Sequence, residues 1–86
     1  MEKAIALLQY LVQALVDHPE VVSVTSGVQE NGLVLKVTVD PRDAGMVIGK
    51  KGYVIRAIRQ LVNVIGSRER ERVMVDIIPI EAAQTA

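Results

Sequence analysis

Residues 33–39, Leu-Val-Leu-Lys-Val-Thr-Val, alternate two sets of side chains along a β-branched run, while the segments on either side keep a longer period. Strict alternation fits an extended strand, with Leu33, Leu35, Val37 and Val39 on one face and Val34, Lys36 and Thr38 on the other. Just before it, Gln29-Glu30-Asn31-Gly32 supplies the Asn-Gly chemistry of a tight turn. Val22, Val24 and Val28 precede that turn at even spacing, so residues 22–39 predict an antiparallel hairpin. One face of this hairpin is aliphatic and has to be covered.

The flanking segments carry the helical period that can cover it. In residues 4–16, Ile5, Leu8, Leu11, Val12, Leu15 and Val16 repeat at i, i+3, i+4 and i+7, the stripe of an amphipathic helix. His18-Pro19 stops this helix, because proline disfavours helix in the residue before it. His18 is then placed to meet the negative end of the helix dipole. After the hairpin, Asp40-Pro41-Arg42-Asp43 is a helix start, with Asp40 as cap, Pro41 at the first position and Asp43 in the first turn. That helix is expected over about 41–48, closed by Gly49 in a left-handed conformation. A second helix begins after Gly52 and runs to about Ile65. Its inward stripe is Val54, Ile55, Ile58, Leu61, Val62 and Ile65, its outward one Arg56, Arg59, Gln60 and Asn63, and Gly66 ends it. A charged loop then leads into a final strand over about 72–79, where Pro79 limits the strand or sets it at an edge. The order is α-β-β-α-α-β, an α+β domain with three helices on one face of a three-stranded sheet. Lys36, Thr38, Met74 and Asp76 fall on the other face. Residues 1–80 are expected to form the single domain and residues 81–86 a frayed tail.

Composition narrows the function classes. A chain of 86 residues is one small domain, and it must fill its core well, because it buries only roughly 60–65% of its unfolded surface. Apolar residues make up 50% of it, yet the only aromatics are Tyr10 and Tyr53. The core is therefore aliphatic, and no platform of stacked rings is available to a ligand. With no cysteine, disulfides, thiolate catalysis and Cys-based zinc sites are excluded. Residues 4–16 lack the basic start and cleavage site of a signal peptide, and no apolar run reaches membrane-spanning length. The expected location is the cytoplasm, with no membrane association.

Formal net charge is zero, but its distribution is uneven. Between residues 42 and 72 stand eight bases, Arg42, Lys50, Lys51, Arg56, Arg59, Arg68, Arg70 and Arg72, against the acids Asp43, Glu69 and Glu71. The rest of the chain holds Lys3 and Lys36 against seven acids. A polarised molecule of this kind suits an anionic partner on one side.

The chemistry concentrates where the two downstream helices meet, at Val47-Ile48-Gly49-Lys50-Lys51-Gly52-Tyr53. Gly49 and Gly52 remove Cβ, so a ligand's backbone can come close. The helix starting near Tyr53 points unpaired amides and a partial positive charge at the same place. Lys50 and Lys51 add mobile charges. Arg56 and Arg59 either extend this positive edge or solvate a helix face. Such a site positions a phosphate backbone without reading sequence. Discrimination between bases would fall to a groove floored by Val47, Ile48 and Ile55, with polar backbone groups from strand 33–39. Tyr53 either stacks on a base or covers the helix junction. Arg68, Arg70 and Arg72 alternate with Glu69 and Glu71 and read first as a self-paired surface loop, with an RNA-binding arm as the alternative.

Ile48-Gly49-Lys50-Lys51-Gly52 resembles the Ile-Gly-x-x-Gly motif of KH domains, in which a Gly-x-x-Gly loop between two helices clamps about four nucleotides of single-stranded RNA. The resemblance covers essentially the whole chain. Its α-β-β-α-α-β order is similar to the type II KH arrangement, and its size to the small bacterial single-KH proteins of the KhpA kind. The resemblance implies a mixed sheet and an RNA-binding protein without enzyme activity. It further implies a post-transcriptional regulator or RNA chaperone that acts as a homodimer or pairs with a larger Jag-type KH protein.

Other chemistries fit poorly. A phosphate loop needs Gly-x-x-x-x-Gly-Lys-Ser/Thr, whereas Gly45 precedes Gly49-Lys50 by four and Lys51 follows. No nucleophile–base constellation is present, Asp40 and Asp43 are explained by capping, and His18 has no ligand partners for a metal. No cofactor and no small-molecule substrate are expected. The competing reading is an interaction or dimerisation module whose glycine turn only joins two helices.

Overall fold

The computed structural model describes residues 1–80; the expected tail at 81–86 lies outside the described residues. Along the chain run α1 (Glu2–Leu15), β1 (Ser23–Gln29), β2 (Gly32–Val39), α2 (Ala44–Ile48), α3 (Tyr53–Arg68) and β3 (Val73–Pro79). Single 3₁₀ turns occupy Pro19–Val21, Pro41–Asp43 and Lys50–Gly52. The strand order is β1-β2-β3. β1 and β2 pair antiparallel from Ser23↔Thr38 to Gln29↔Gly32 without a break in register. β2 and β3 pair parallel from Leu33↔Val73 to Val39↔Pro79. A parallel pair cannot be closed by a tight turn and needs a crossover, which α2 and α3 supply. The sheet is therefore mixed, with β2 central and β3 left with one free edge.

Alternation sorts the two faces of the sheet. Leu35, Val37 and Val39 of β2 and Val73 and Val75 of β3 join one aliphatic core with Ala4, Leu8 and Val12 of α1, Val47 of α2, and Ile55, Ile58 and Val62 of α3. On the far face Lys36, Met74 and Asp76 are exposed and Thr38 is half-buried. Val28 shares parity with Val22 and Val24 but is 85% exposed. It pairs with Leu33 at the hairpin tip, where even Leu33 is only half-buried. The helical stripes are likewise wider than the sheet can cover, so Leu15 and Leu61, expected inside, stay 42% and 49% exposed.

Four local expectations are corrected. Gly66 does not end α3, which continues to Arg68. It is buried in the last turns, where a Cβ would stand 2.8 Å from the Glu71 carbonyl oxygen and 2.9 Å from Val73 Cγ2. Glycine there lets the chain fold straight back into β3. The segment 41–48 is a 3₁₀ turn followed by the five-residue α2, not one helix. Asp40 does cap its start, accepting from the Arg42 amide at 2.9 Å. Asp43 falls in the first turn as expected, but it is buried there, at 1% exposure. Its Oδ2 accepts from the His18 amide at 3.0 Å and lies 3.0 Å from His18 Nδ1. His18 is accordingly not at the α1 terminus, which closes at Leu15; the His18–Asp43 contact ties the α1–β1 link to the start of α2. Finally, the loop after α3 is not self-paired. Among the described residues its ion pair joins Glu69 to the Met1 ammonium at 3.7 Å.

Candidate nucleic-acid interface

The Gly49–Gly52 turn sets exposed Lys50 and Lys51 between two half-buried glycines, and its backbone is unusual. Gly49 has φ 77° and ψ 171°, a positive φ but an extended ψ, so it is not in the left-handed helical cap expected of it. Lys51 (φ 54°, ψ 22°) and Gly52 (φ 75°, ψ 18°) take the left-handed conformation instead. The turn is closed by the Gly49 amide on the Gly45 carbonyl at 2.8 Å and the Gly52 amide on the Gly49 carbonyl at 3.1 Å. The two glycines serve different ends. A Cβ on Gly49 would sit 2.7 Å from Val54 Cβ and 2.9 Å from the Val54 nitrogen, so this glycine is required by the packing of α2 against α3. At Gly52 the nearest atom to an added Cβ is Ile55 Cγ2 at 4.0 Å, which leaves that face open. Non-glycine residues rarely hold positive φ; Lys51 holds it at the outermost point of the turn.

Lys50 and Lys51 are exposed. No side chain caps α3, so the positive end of its dipole opens onto the same turn. Arg56 is held here too. Its guanidinium lies 5.5 Å from the centroid of the Tyr53 ring, an attractive cation–π arrangement, and is 3.5 Å from the Lys51 carbonyl oxygen. Arg59, one turn further on, donates to the Val75 carbonyl at 3.2 Å. It thereby bridges α3 to β3, and with Asn63, Met74 and Asp76 it lines a shallow depression between them.

The expected residues thus separate into three sets. Gly49, Lys50, Lys51, Gly52, Arg56 and Arg59 form a continuous edge from the turn along one side of α3. Ile48, 44% exposed, sits beside the turn, whereas Val47 and Ile55 belong to the core, at 0% and 7% exposure. Val47 has no surface to offer a ligand and supports the site from beneath. Tyr53, 57% exposed, stands between this edge and the α1 side of α3: Arg56 lies over its ring, and it also lines an apolar groove against α1 with Leu11, Leu15, Ala57 and Leu61. The strand beside α2 and α3 is β3, not segment 33–39. β2 is central and pairs on both sides, so its backbone groups are occupied, while β3 has a free edge. Sequence reasoning turned Asn63 and Met74 outward but did not join them, or this edge, to the candidate site. The signal was present in the four-residue spacing from Arg59 to Asn63 and in the outward parity of Met74 and Asp76.

Residues 5–77 match the family model described as KhpA/KhpB, KH domain. The chain belongs to the KhpA/KhpB KH-domain family. Within it, RNA-binding protein KhpA of Listeria monocytogenes is 40% identical over 72 residues, covering 84% of this chain and 95% of that protein. RNA-binding protein KhpA of Streptomyces coelicolor is 42% identical over 74 residues, 86% of this chain and 90% of that protein. The fold is similar to part of Aquifex aeolicus Era, whose crystal structure aligns with a TM-score of 0.58 at 19% identity, over 88% of this chain and 29% of that one. The mixed sheet in the order α-β-β-α-α-β is the type II KH arrangement. Among the described residues no helix is long and apolar enough to cross a membrane, and no group of three or more His, Cys, Asp or Glu residues is placed to hold a metal ion.

Proposed function

We propose that this chain binds single-stranded RNA, holding a backbone segment of about four nucleotides on the Gly49-Lys50-Lys51-Gly52 turn, and that it acts without catalysis as a post-transcriptional regulator or RNA chaperone in the cytoplasm. The observation that carries this reading is the turn itself: its two lysines exposed, the helix after it uncapped, its face open at Gly52, and its charge continued by Arg56 and Arg59 along α3. The family's Ile-Gly-x-x-Gly motif and the naming of its relatives as RNA-binding proteins support RNA as the ligand. Bases would then lie between α3 and the free edge of β3, with Ile48 at the entrance.

A short groove gives modest affinity, about micromolar, because phosphate contacts alone reach about 10⁻⁴–10⁻⁶ M. Two domains acting together would raise it. The exposed apolar groove between α1 and α3 favours such a partner, a second copy or a larger Jag-type KH protein. It lies on the stripe of α3 that does not face β3, so pairing and RNA binding are compatible.

The test is titration of a fluorescent single-stranded RNA with the wild-type chain and with Lys50→Asp/Lys51→Asp. The charge reversal is expected to weaken binding at least tenfold, with circular dichroism and melting temperature unchanged. Two to four phosphate contacts give a log–log salt slope of roughly −1.5 to −3 for a single strand. Equal RNA affinity in the two proteins would overturn the reading and leave the glycine turn as a helix connection.

A further inference from the structure

The end of α3 and the turn joining it to β3 carry Arg68, Arg70 and Arg72, all exposed. Its acids do not neutralise them: Glu69 is drawn to the Met1 ammonium at 3.7 Å. Apart from that contact, the ion pairs among the described residues are His18–Asp43 and Arg42–Asp40. Arg70 has φ 58°, the left-handed position that closes a helix and that glycine fills most cheaply. The closing bonds are in place, from the Glu71 amide to the Gly66 carbonyl at 2.8 Å and from the Glu69 amide to the Ile65 carbonyl at 3.2 Å. An arginine in that position projects a cation from a site where the fold alone would accept glycine.

This cluster is the far end of a track that begins at the Gly49–Gly52 turn. Arg56, Arg59, Asn63, Ser67 and Arg70 follow at three- and four-residue spacing, one stripe of α3 carried on into the turn. The depression at Arg59 and Asn63 beside β3 meets a second one lined by Gln60, Asn63, Val64, Ser67 and Arg68. Cations stand at both ends of this stripe and amide or hydroxyl groups between them. Asp76 is the one acid lining the two depressions among the described residues.

We infer that Arg68, Arg70 and Arg72 form a second phosphate-binding point, which takes the continuation of a nucleic-acid strand after it leaves the groove between α3 and β3. The inference rests on the RNA-binding reading above. Its consequence is a footprint longer than the nucleotides held at the glycine turn. Three guanidiniums suit phosphate oxygens, each offering several donors in a fixed fork.

Affinity for a tetranucleotide and a dodecanucleotide of oligouridine is measured for the wild-type chain, Arg68→Gln/Arg70→Gln/Arg72→Gln and Arg68→Gln/Arg72→Gln. Wild type is expected to bind the longer strand about tenfold more tightly at low salt, beyond the statistical gain in registers. Its salt slope should be steeper by about 2, from about three added contacts. The triple variant should lose this length gain and keep its tetranucleotide affinity. The double variant, which leaves the turn residue Arg70 in place, should lose most of it. A length gain that persists in both variants overturns the second binding point and leaves the glycine-turn reading intact. No binding of either strand by the wild type overturns that reading instead.

Discussion

At the scale of single residues, two glycines three positions apart in one turn answer to different forces. Gly49 combines positive φ and an extended ψ with close approach to Val54; an alanine would carry backbone strain of about 1–3 kcal/mol and a steric clash besides. Gly52 has left-handed φ and ψ with open space beside it, so an alanine there costs only about 1–2 kcal/mol. Urea unfolding should therefore find Gly49→Ala destabilised by about 3 kcal/mol or more and Gly52→Ala by about 1 kcal/mol. Equal losses would mean that the helix junction does not pack as described. Lys51 and Arg70 present the converse case, charged residues in left-handed positions. Replacing either by glycine should raise stability by up to about 1 kcal/mol while weakening RNA binding, in the case of Arg70 only that of the longer strand. Strain retained in this way is expected where a side chain serves a purpose other than folding. A third residue-scale test concerns Asp43, whose buried Oδ2 receives the half-buried His18 amide. Asp43→Ala should cost about 1–3 kcal/mol by leaving that donor unpaired.

At the scale of elements, α2 depends on its ends, because five residues are too few to hold a helix alone. Asp40 receives both the Arg42 amide and its guanidinium, at 2.9 and 2.8 Å. The Arg42 side chain, and then its amide, hold the Asp40 carboxyl well below the usual carboxylate range. A depressed carboxyl contributes stability above its unfolded value and loses it as pH falls through the folded one. In an NMR titration the Asp40 carboxyl should therefore stay ionised well below the usual carboxylate midpoint, and Arg42→Ala should bring the midpoint back toward that range. An ordinary midpoint in the wild type would remove this cap from the account. Elements are also where the sequence was most legible. Alternation in 33–39, the Asn31-Gly32 turn and the apolar stripes of α1 and α3 reported local period directly, and period selects helix or strand. Less legible was whatever depended on a neighbour distant in the chain. Gly66 looked like a helix stop because its close contact, Val73, belongs to β3. Asp43 was legible as a first-turn acid, but its contact with His18, twenty-five positions away, was not. Alternating signs at residues 68–72 suggested self-pairing, since nothing local showed that the chain's own amino terminus would take Glu69.

At the scale of the molecule, charge and apolar surface are divided between two sides of α3. One stripe leads from Lys50 and Lys51 past Arg59 toward Arg70, along β3; the other, with Tyr53, Ala57 and Leu61, borders the uncharged face of α1. The glycine turn and its lysines were legible from sequence, because their chemistry is local. The facing strand was not, since only the parallel β2–β3 pairing leaves β3 at the edge. An apolar contact on the α1 side should respond to Leu61→Asp and not to salt, whereas RNA binding should weaken with salt and ignore Leu61→Asp; analytical ultracentrifugation and RNA titration would separate the two. The most direct test of the central claim is an amide NMR titration of the wild-type chain with a single-stranded tetranucleotide RNA. The account predicts the largest shift changes at Gly49–Tyr53, with smaller ones along Arg56, Arg59 and the outer edge of Met74–Asp76. Changes confined to the α1 face, or none at saturating RNA, would contradict it.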